Sequence, residues 1–191
     1  MRPRSPVPDG PLRVLFVCTA NISRSPYAER QAALLSATAS TDPLRTASAG
    51  VPGFPGRGMD PAMAEELRAR GGDPLGHVSR CLTREILDGA DVVLTFEFAQ
   101  RIRIVERWPD QAIKVFGLHQ FTEALGRVGS QARGLTLLDE VYGTARPDGI
   151  NHDVADPYRR GAAAARVCAD EVDAALAVIV PALTAPAPAA R

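Results

Sequence analysis

Short apolar runs alternate along the chain with longer segments of mixed polarity. Leu12 to Cys18 (LRVLFVC) is apolar and β-rich, as a strand covered on both faces of a parallel sheet would be. Ala90 to Phe96 and Ala112 to Leu118 read the same way, and Leu44 to Ala49 is a further strand that Gly50 ends. Ser25-Pro26 reads as an N-cap with proline in the first turn, opening a helix to about Ala39. Pro61 to Arg70 reads as a helix stopped by Gly71-Gly72, Ala99 to Trp108 as one ended by Pro109, and Phe121 to Leu125 as the start of another. Leu135 to Val141 is expected to be a short helix, and Tyr158 to Val180 a long alanine-rich one. Val78 to Leu82 is expected to be extended, and the glycine- and proline-rich stretch 51–60 to be a loop. Strands that alternate with helices imply βαβ units and a parallel sheet, hence a single α/β domain.

A chain of 191 residues with 46% hydrophobic content is long enough to bury one core. Residues 1–11 hold four prolines and are expected to be a disordered leader, with a folded domain over 12–182 and a flexible tail over 183–191. The formal charge of zero argues against a nucleic-acid binder. No apolar core of a signal peptide precedes Leu12, and prolines interrupt the longest uncharged run near the C-terminus, so no membrane span is expected. The three cysteines, Cys18, Cys81 and Cys168, form neither a disulfide framework nor a C-x2-C zinc pair. A reducing compartment, the cytoplasm, is expected, with no metal and no cofactor. Oligomeric state is not legible.

Chemistry concentrates in Val17-Cys18-Thr19-Ala20-Asn21-Ile22-Ser23-Arg24-Ser25-Pro26. A cysteine ends the first strand, an arginine follows six positions on, and a helix begins at once. A loop wrapped between a strand and a helix N-terminus turns successive backbone N–H groups into one hollow, and the helix dipole adds positive potential there. Such a hollow holds a tetrahedral oxyanion, and Arg24 can add a planar two-point clamp. The same field favours the thiolate form of a cysteine, which is the nucleophilic form. Cys18 can then attack a bound phosphorus to give a phosphocysteine. Asn21 and Ser25 are placed to hold the loop in shape, and the Ser25 hydroxyl to donate to the sulfur. The plain alternative is a buried structural cysteine at a strand end. The strand before, the asparagine within and the Arg-Ser-Pro after it favour the chemical reading.

The segment V-C-T-A-N-I-S-R-S-P-Y-A-E, residues 17–29, resembles the phosphate loop V-C-x-G-N-I-C-R-S-P-x-A-E of the low-molecular-weight protein tyrosine phosphatases. Further stretches resemble that family in order: Ser48-Ala49-Gly50, Asp60-Pro61, Gly76-His77 with Arg80 and Leu82-Thr83, Asp91 to Leu94, and Asp153-Val154-Ala155-Asp156-Pro157-Tyr158. The resemblance covers about Leu12 to Val180. It implies a four-stranded parallel sheet of order 2-1-3-4 with helices on both faces, and metal-free hydrolysis of phosphotyrosine on protein substrates. Cys18 would be the nucleophile. Residues 19–25 (Thr19, Ala20, Asn21, Ile22, Ser23, Arg24, Ser25) would hold the phosphoryl group. Asp156 would be the acid that protonates the leaving oxygen and then the base for water. Read from the residues alone, Asp156 serves equally as an N-cap for a helix starting at Pro157, and Asp153 as a loop-shaping residue. Tyr158 is either a pocket wall or a packing residue. Ser48 and His77 match residues that brace the loop through Asn21 and Ser25.

Departures from the family bear on activity. Ser23 replaces a second loop cysteine, so peroxide is expected to inactivate without an intraloop disulfide. Ala20 replaces a glycine, which would cost energy if that position needs a positive φ. Phe54 is a candidate aromatic wall, and the segment 126–152 is long. Three other functions share these residues. An arsenate reductase would need two further cysteines close in sequence, which Cys81 and Cys168 are not. Phosphoarginine phosphatases of this kind carry threonine where Ile22 stands. A non-catalytic phosphoryl-binding module would not need Cys18, Arg24 and Asp156 together.

Overall fold

In a computed structural model the described residues are 11–40, 43–128, 132, 134–147, 149 and 152–184. Most of the expected leader, and the tail from 185 on, lie outside them. Four strands, β1 (Arg13–Cys18), β2 (Arg45–Gly50), β3 (Val92–Thr95) and β4 (Val115–Gly117), pair in parallel in the order β2-β1-β3-β4. Around them, among the described residues, run α1 (Arg24–Ala39), α2 (Pro61–Ala69), α3 (Arg84–Asp88), α4 (Phe98–Arg107), α5 (Leu118–Leu125), α6 (Gly134–Thr144) and α7 (Gly161–Thr184). No helix is long and apolar enough to cross a membrane, among the described residues.

The continuous apolar run of β1 is explained by two cores. Val14, Phe16 and Cys18 pack with α1, α2, α5 and α7 on one face. Leu15 and Val17, on the other, meet Leu87, Val93, Ile104 and Trp108. Val14, Leu15, Phe16 and Val17 are each at most 1% exposed, and each such side chain contributes about 1.5–3 kcal/mol by leaving water. The result is a three-layer α/β sandwich in which β1 is the central staff. Its register sets Cys18 beside Gly50 of β2, and Val17 between Ala49 and Thr95.

Several boundaries differ from the sequence reading. The strand expected over 112–118 is only β4, because Pro109–Lys114 winds as a 3-10 helix and Lys114 Nζ bonds the carbonyls of Leu87 and Ala90. The single-turn helix α3 was not foreseen; Thr83 Oγ1 caps it by accepting from the N–H of Ile86 at 3.3 Å. Residues 78–82 form no strand and bridge the sheet only at Cys81 with Gly50. Helix α7 starts at Gly161 rather than Tyr158, because Arg159 (φ +59°) and Gly161 (φ +82°) adopt left-handed backbone there. It runs on to Thr184, past the expected helix end at Val180, with Leu183 buried.

Candidate active site

Cys18 closes β1, and five residues turn before Arg24 opens α1. Every carbonyl on this turn from 18 to 22 accepts from outside it. The N–H of Val51 donates to Cys18 (2.9 Å), that of Gly53 to Thr19 (3.0 Å), that of Phe54 to Ala20 (3.2 Å) and that of Asp60 to Ile22 (2.9 Å). His77 donates from Nε2 to the carbonyl of Asn21 at 2.8 Å. In a trans peptide the N–H points opposite to the C=O with which it shares a plane. Outward carbonyls therefore turn the amides of residues 19–23 inward, and the Asn21 amide already donates to Cys18 Sγ at 3.3 Å. The N-terminus of the 16-residue helix α1 adds its dipole at the same place. Two glycines allow the close approach of the flanking loop. A Cβ on Gly50 would stand 2.7 Å from Gly53 Cα, and one on Gly53 would stand 2.7 Å from Cys81 Cα.

Asn21 is the hub of the turn. It sits at φ +62°, a left-handed conformation that asparagine tolerates better than most residues. Its Nδ2 donates to Ser25 Oγ (3.0 Å) and Ser48 Oγ (2.8 Å), and its Oδ1 accepts from the N–H of Arg80 (2.9 Å). Ser48 Oγ passes its own proton to the Glu29 carboxylate at 2.5 Å. Ser25 Oγ lies 3.0 Å from Cys18 Sγ. Ser25 Oγ accepts from Asn21, and its own proton has two acceptors in reach, the sulfur at 3.0 Å and the carbonyl of Ala49 at 3.4 Å.

This geometry corrects two expectations. Ser25 is not an N-cap: the helix starts at Arg24 and Ser23 takes the cap position without a side-chain bond. Ala20 carries no left-handed strain, because the positive φ falls on Asn21. Ser48 and His77 each hydrogen-bond Asn21, and Asn21 in turn bonds Ser25.

The Arg24 guanidinium, 1% exposed, gathers the far side of the hollow. Its Nη1 donates to the carbonyl of Val154 (2.7 Å) and to Glu97 Oε1 (2.5 Å), and its Nη2 meets Asp156 Oδ2 at 3.2 Å. Its Nε is buried without a partner in the protein. The segment bearing Asp156 is pinned twice: the N–H of Val154 donates to the carbonyl of Phe96 (2.8 Å), and the N–H of Phe98 donates to Asp153 Oδ1 (2.6 Å). Asp153 thus shapes the loop. Asp156 does not cap α7, which begins five residues later; its Oδ1 accepts only a local bond from the N–H of Tyr158 (3.3 Å), and its side chain is about half exposed (48%).

Beside the turn opens a cavity of about 620 Å³, lined by Thr19, Ile22, Phe54, Met59 and Tyr158 among others. Phe54 and Tyr158, both exposed, thus share the lining with buried Ile22. Four participants escaped the sequence reading. Glu97 holds Arg24, buried Gln100 donates to Thr19 Oγ1 (3.1 Å), and Arg57 and Arg159 line the cavity. Glu97 and Gln100 form a capping box at the start of α4, a helix-start signal that says nothing of Arg24 or Thr19, and only contacts across the fold reveal the four. Cys168 lies buried in α7, with its thiol pushed up to about 12, chiefly by burial.

The description low molecular weight phosphotyrosine protein phosphatase applies to a family model that matches residues 13–131, a span that ends before Asp156. A protein-arginine-phosphatase of Geobacillus stearothermophilus is 36% identical over 139 residues, 72% of this chain and 88% of that protein. A probable low molecular weight protein-tyrosine-phosphatase, EpsP, of Ralstonia nicotianae is 33% identical over 110 residues, 58% of this chain and 72% of the other. Among solved structures, the low molecular weight protein tyrosine phosphatase of T. tengcongensis superposes with a TM-score of 0.72 at 28% identity, over 90% of this chain and 99% of that one. With the order of the strands, the cysteine turn and these matches in agreement, the chain belongs to the low molecular weight phosphotyrosine protein phosphatase family.

Proposed function

We propose that this phosphatase hydrolyses phosphotyrosine on proteins in two steps through a phosphocysteine. The observation that carries the reading is the convergence of Cys18 Sγ, inward amides, Arg24 and Asp156 on one hollow beside an aromatic-walled cavity. The Cys18 thiolate attacks phosphorus while the amides of the turn and Arg24 hold the phosphoryl oxygens. The bond from phosphorus to the tyrosyl oxygen breaks, and that oxygen takes the proton of Asp156. Water then attacks the phosphocysteine and gives a proton back to Asp156. The phosphorus–sulfur bond breaks, inorganic phosphate leaves, and the Ser25 hydroxyl faces the departing thiolate. No step calls on a metal or a cofactor. A reducing compartment such as the cytoplasm suits a reactive thiol, and the three cysteines are free.

One relative bears the name protein-arginine-phosphatase, so phosphoarginine is the second reading. The cavity supports the first. Ile22, Phe54 and Tyr158 offer a ring apolar surface, whereas a guanidinium leaving group needs acceptors. Of the acids nearby, Asp60 accepts from the N–H of Met63 and Asp156 is engaged by Arg24. An arsenate relay finds little support, since Cys168 is buried and strongly disfavours its thiolate. The test compares kcat/KM on phosphotyrosine and phosphoarginine peptides of matched sequence, in wild type and Cys18→Ser. We expect phosphotyrosine to lead by tenfold or more, as a rough bound from pocket discrimination, and the substitution to abolish turnover of both. Higher kcat/KM on phosphoarginine, or activity surviving in Cys18→Ser, overturns the reading.

A further inference from the structure

Two arginines stand on the rim of the cavity, each laid over one of its aromatic walls. Arg57 Cζ lies 5.0 Å from the Phe54 ring centroid, and Arg159 Cζ lies 5.2 Å from that of Tyr158. They come from two separate loops, the one after β2 and the one before α7. Apart from these ring contacts, neither guanidinium makes a hydrogen bond or an ion pair among the described residues. Most arginines of the fold that face a carboxylate use it: Arg13 with Asp91, Arg24 with Glu97, Arg70 with Asp173, Arg84 with Asp110. The rim pair is different. Asp60, which lines the same cavity, accepts from the N-terminus of α2, and Asp156, three residues before Arg159, is engaged by Arg24.

Stacking also fixes where the charge sits. A guanidinium resting on a ring loses less conformational freedom when it takes a partner than one swinging in water. Arg159 holds its place with a left-handed backbone, uncommon for a residue with a Cβ. A ring seated between Phe54 and Tyr158 carries its chain across this rim. An extended chain advances about 3.3 Å per residue, so the next few residues pass within reach of the two cations.

We infer that Arg57 and Arg159 select phosphotyrosine sites flanked by acidic side chains, each guanidinium taking a carboxylate of the substrate chain. The inference rests on the phosphotyrosine reading above. The same cations disfavour a lysine-flanked site, and they oppose a guanidinium in the cavity itself.

The test uses the full chain and three phosphotyrosine peptides that differ only in their flanking residues, glutamate, glutamine or lysine. In wild type kcat/KM should fall in that order, with glutamate leading glutamine by about two- to fivefold for each arginine engaged, the range of solvent-exposed ion pairs. The lead should shrink as salt is raised from about 0.01 to 0.15 M. In Arg57→Gln/Arg159→Gln the three peptides should become equal, and in Arg57→Glu/Arg159→Glu the lysine peptide should overtake the glutamate one. Ratios taken within each variant cancel any general loss of activity, and a merely structural role would not invert them. Equal rates in wild type, or an order that persists in the double variant, overturn the inference alone. No turnover of any of the three peptides overturns the phosphotyrosine reading, and the inference with it.

Discussion

Asp156 Oδ2 stands 3.2 Å from Arg24 Nη2, although one residue opens the first helix and the other lies on the loop before the last. The guanidinium that would hold the phosphoryl group thus also holds the carboxyl group that would protonate the leaving oxygen. Glu97 and the carbonyl of Val154 fix the other edge of the same guanidinium, so acid and clamp keep one geometry.

Asp156→Asn removes the proton donor and leaves the side chain's shape. Aryl phosphates with poor leaving groups should slow by about 10²–10⁴, and those with good leaving groups by much less. A leaving-group series of kcat values checks this. Equal slowing across the series would show that Asp156 is not the acid.

Ser25→Ala deletes the hydroxyl 3.0 Å from Cys18 Sγ. The sulfur loses a donor where it must carry charge, both before attack and as it leaves phosphorus. We expect kcat to fall by roughly 10²-fold, comparable to losing one donor at an oxyanion site, with KM no higher than in wild type. Stopped-flow traces should show an initial burst of phenol, because the second step becomes the slower one. A loss confined to KM would contradict this role.

Asn21→Ala loses three hydrogen bonds, two of them buried, and keeps a left-handed φ. At about 1 kcal/mol per bond and roughly 2–4 °C per kcal/mol for a chain of this size, the Tm should fall by about 6–12 °C. Asn21→Gly loses the same bonds without the Cβ penalty, and should be less destabilised by about 1 kcal/mol. Scanning calorimetry of the two variants checks the order. Alanine matching or exceeding glycine would mean that the backbone conformation costs nothing.

Cys168 predicts an alkaline weakness. Burial holds its thiol protonated up to about 12, against an ordinary 9.0 in the unfolded chain. Below pH 9 both states keep the proton and the contribution to stability is whole. Between pH 9 and 12 only the unfolded chain releases it, so stability falls by about 1.4 kcal/mol per pH unit. Tyr27, also raised, adds a loss that begins near its ordinary 10.0. In Cys168→Ala the first loss disappears and the second remains. The drop in Tm from pH 8 to pH 10.5 should therefore be smaller in the variant, and equal drops would refute the assignment.

Much of the molecule was legible as sequence. The strand β1 announced itself because both faces are covered, which leaves no room for polar alternation. The turn was legible because its chemistry is local: cysteine, asparagine, serine and arginine reach one hollow within eight residues. Boundaries failed where tertiary contacts outweighed local preference. Lys114 binds the carbonyl of Leu87 in α3 and that of Ala90 just after it, and helps hold a 3-10 segment where the sequence predicts a strand. Ser25 was read as a cap, because Ser-Pro is a helix-start signal whatever else a serine hydroxyl is needed for.

By itself the sequence determined the alternation of strands and helices, the cysteine turn and the order of its motifs, since these depend on neighbours a few residues apart. Only the tertiary structure decided that Glu97 grips Arg24, that Asp156 faces the turn rather than capping a helix, and that Arg57 and Arg159 lie on rings at the rim. Each of these joins residues far apart in the chain, and no local spacing encodes a distance that exists only after the sheet has brought its loops to one edge.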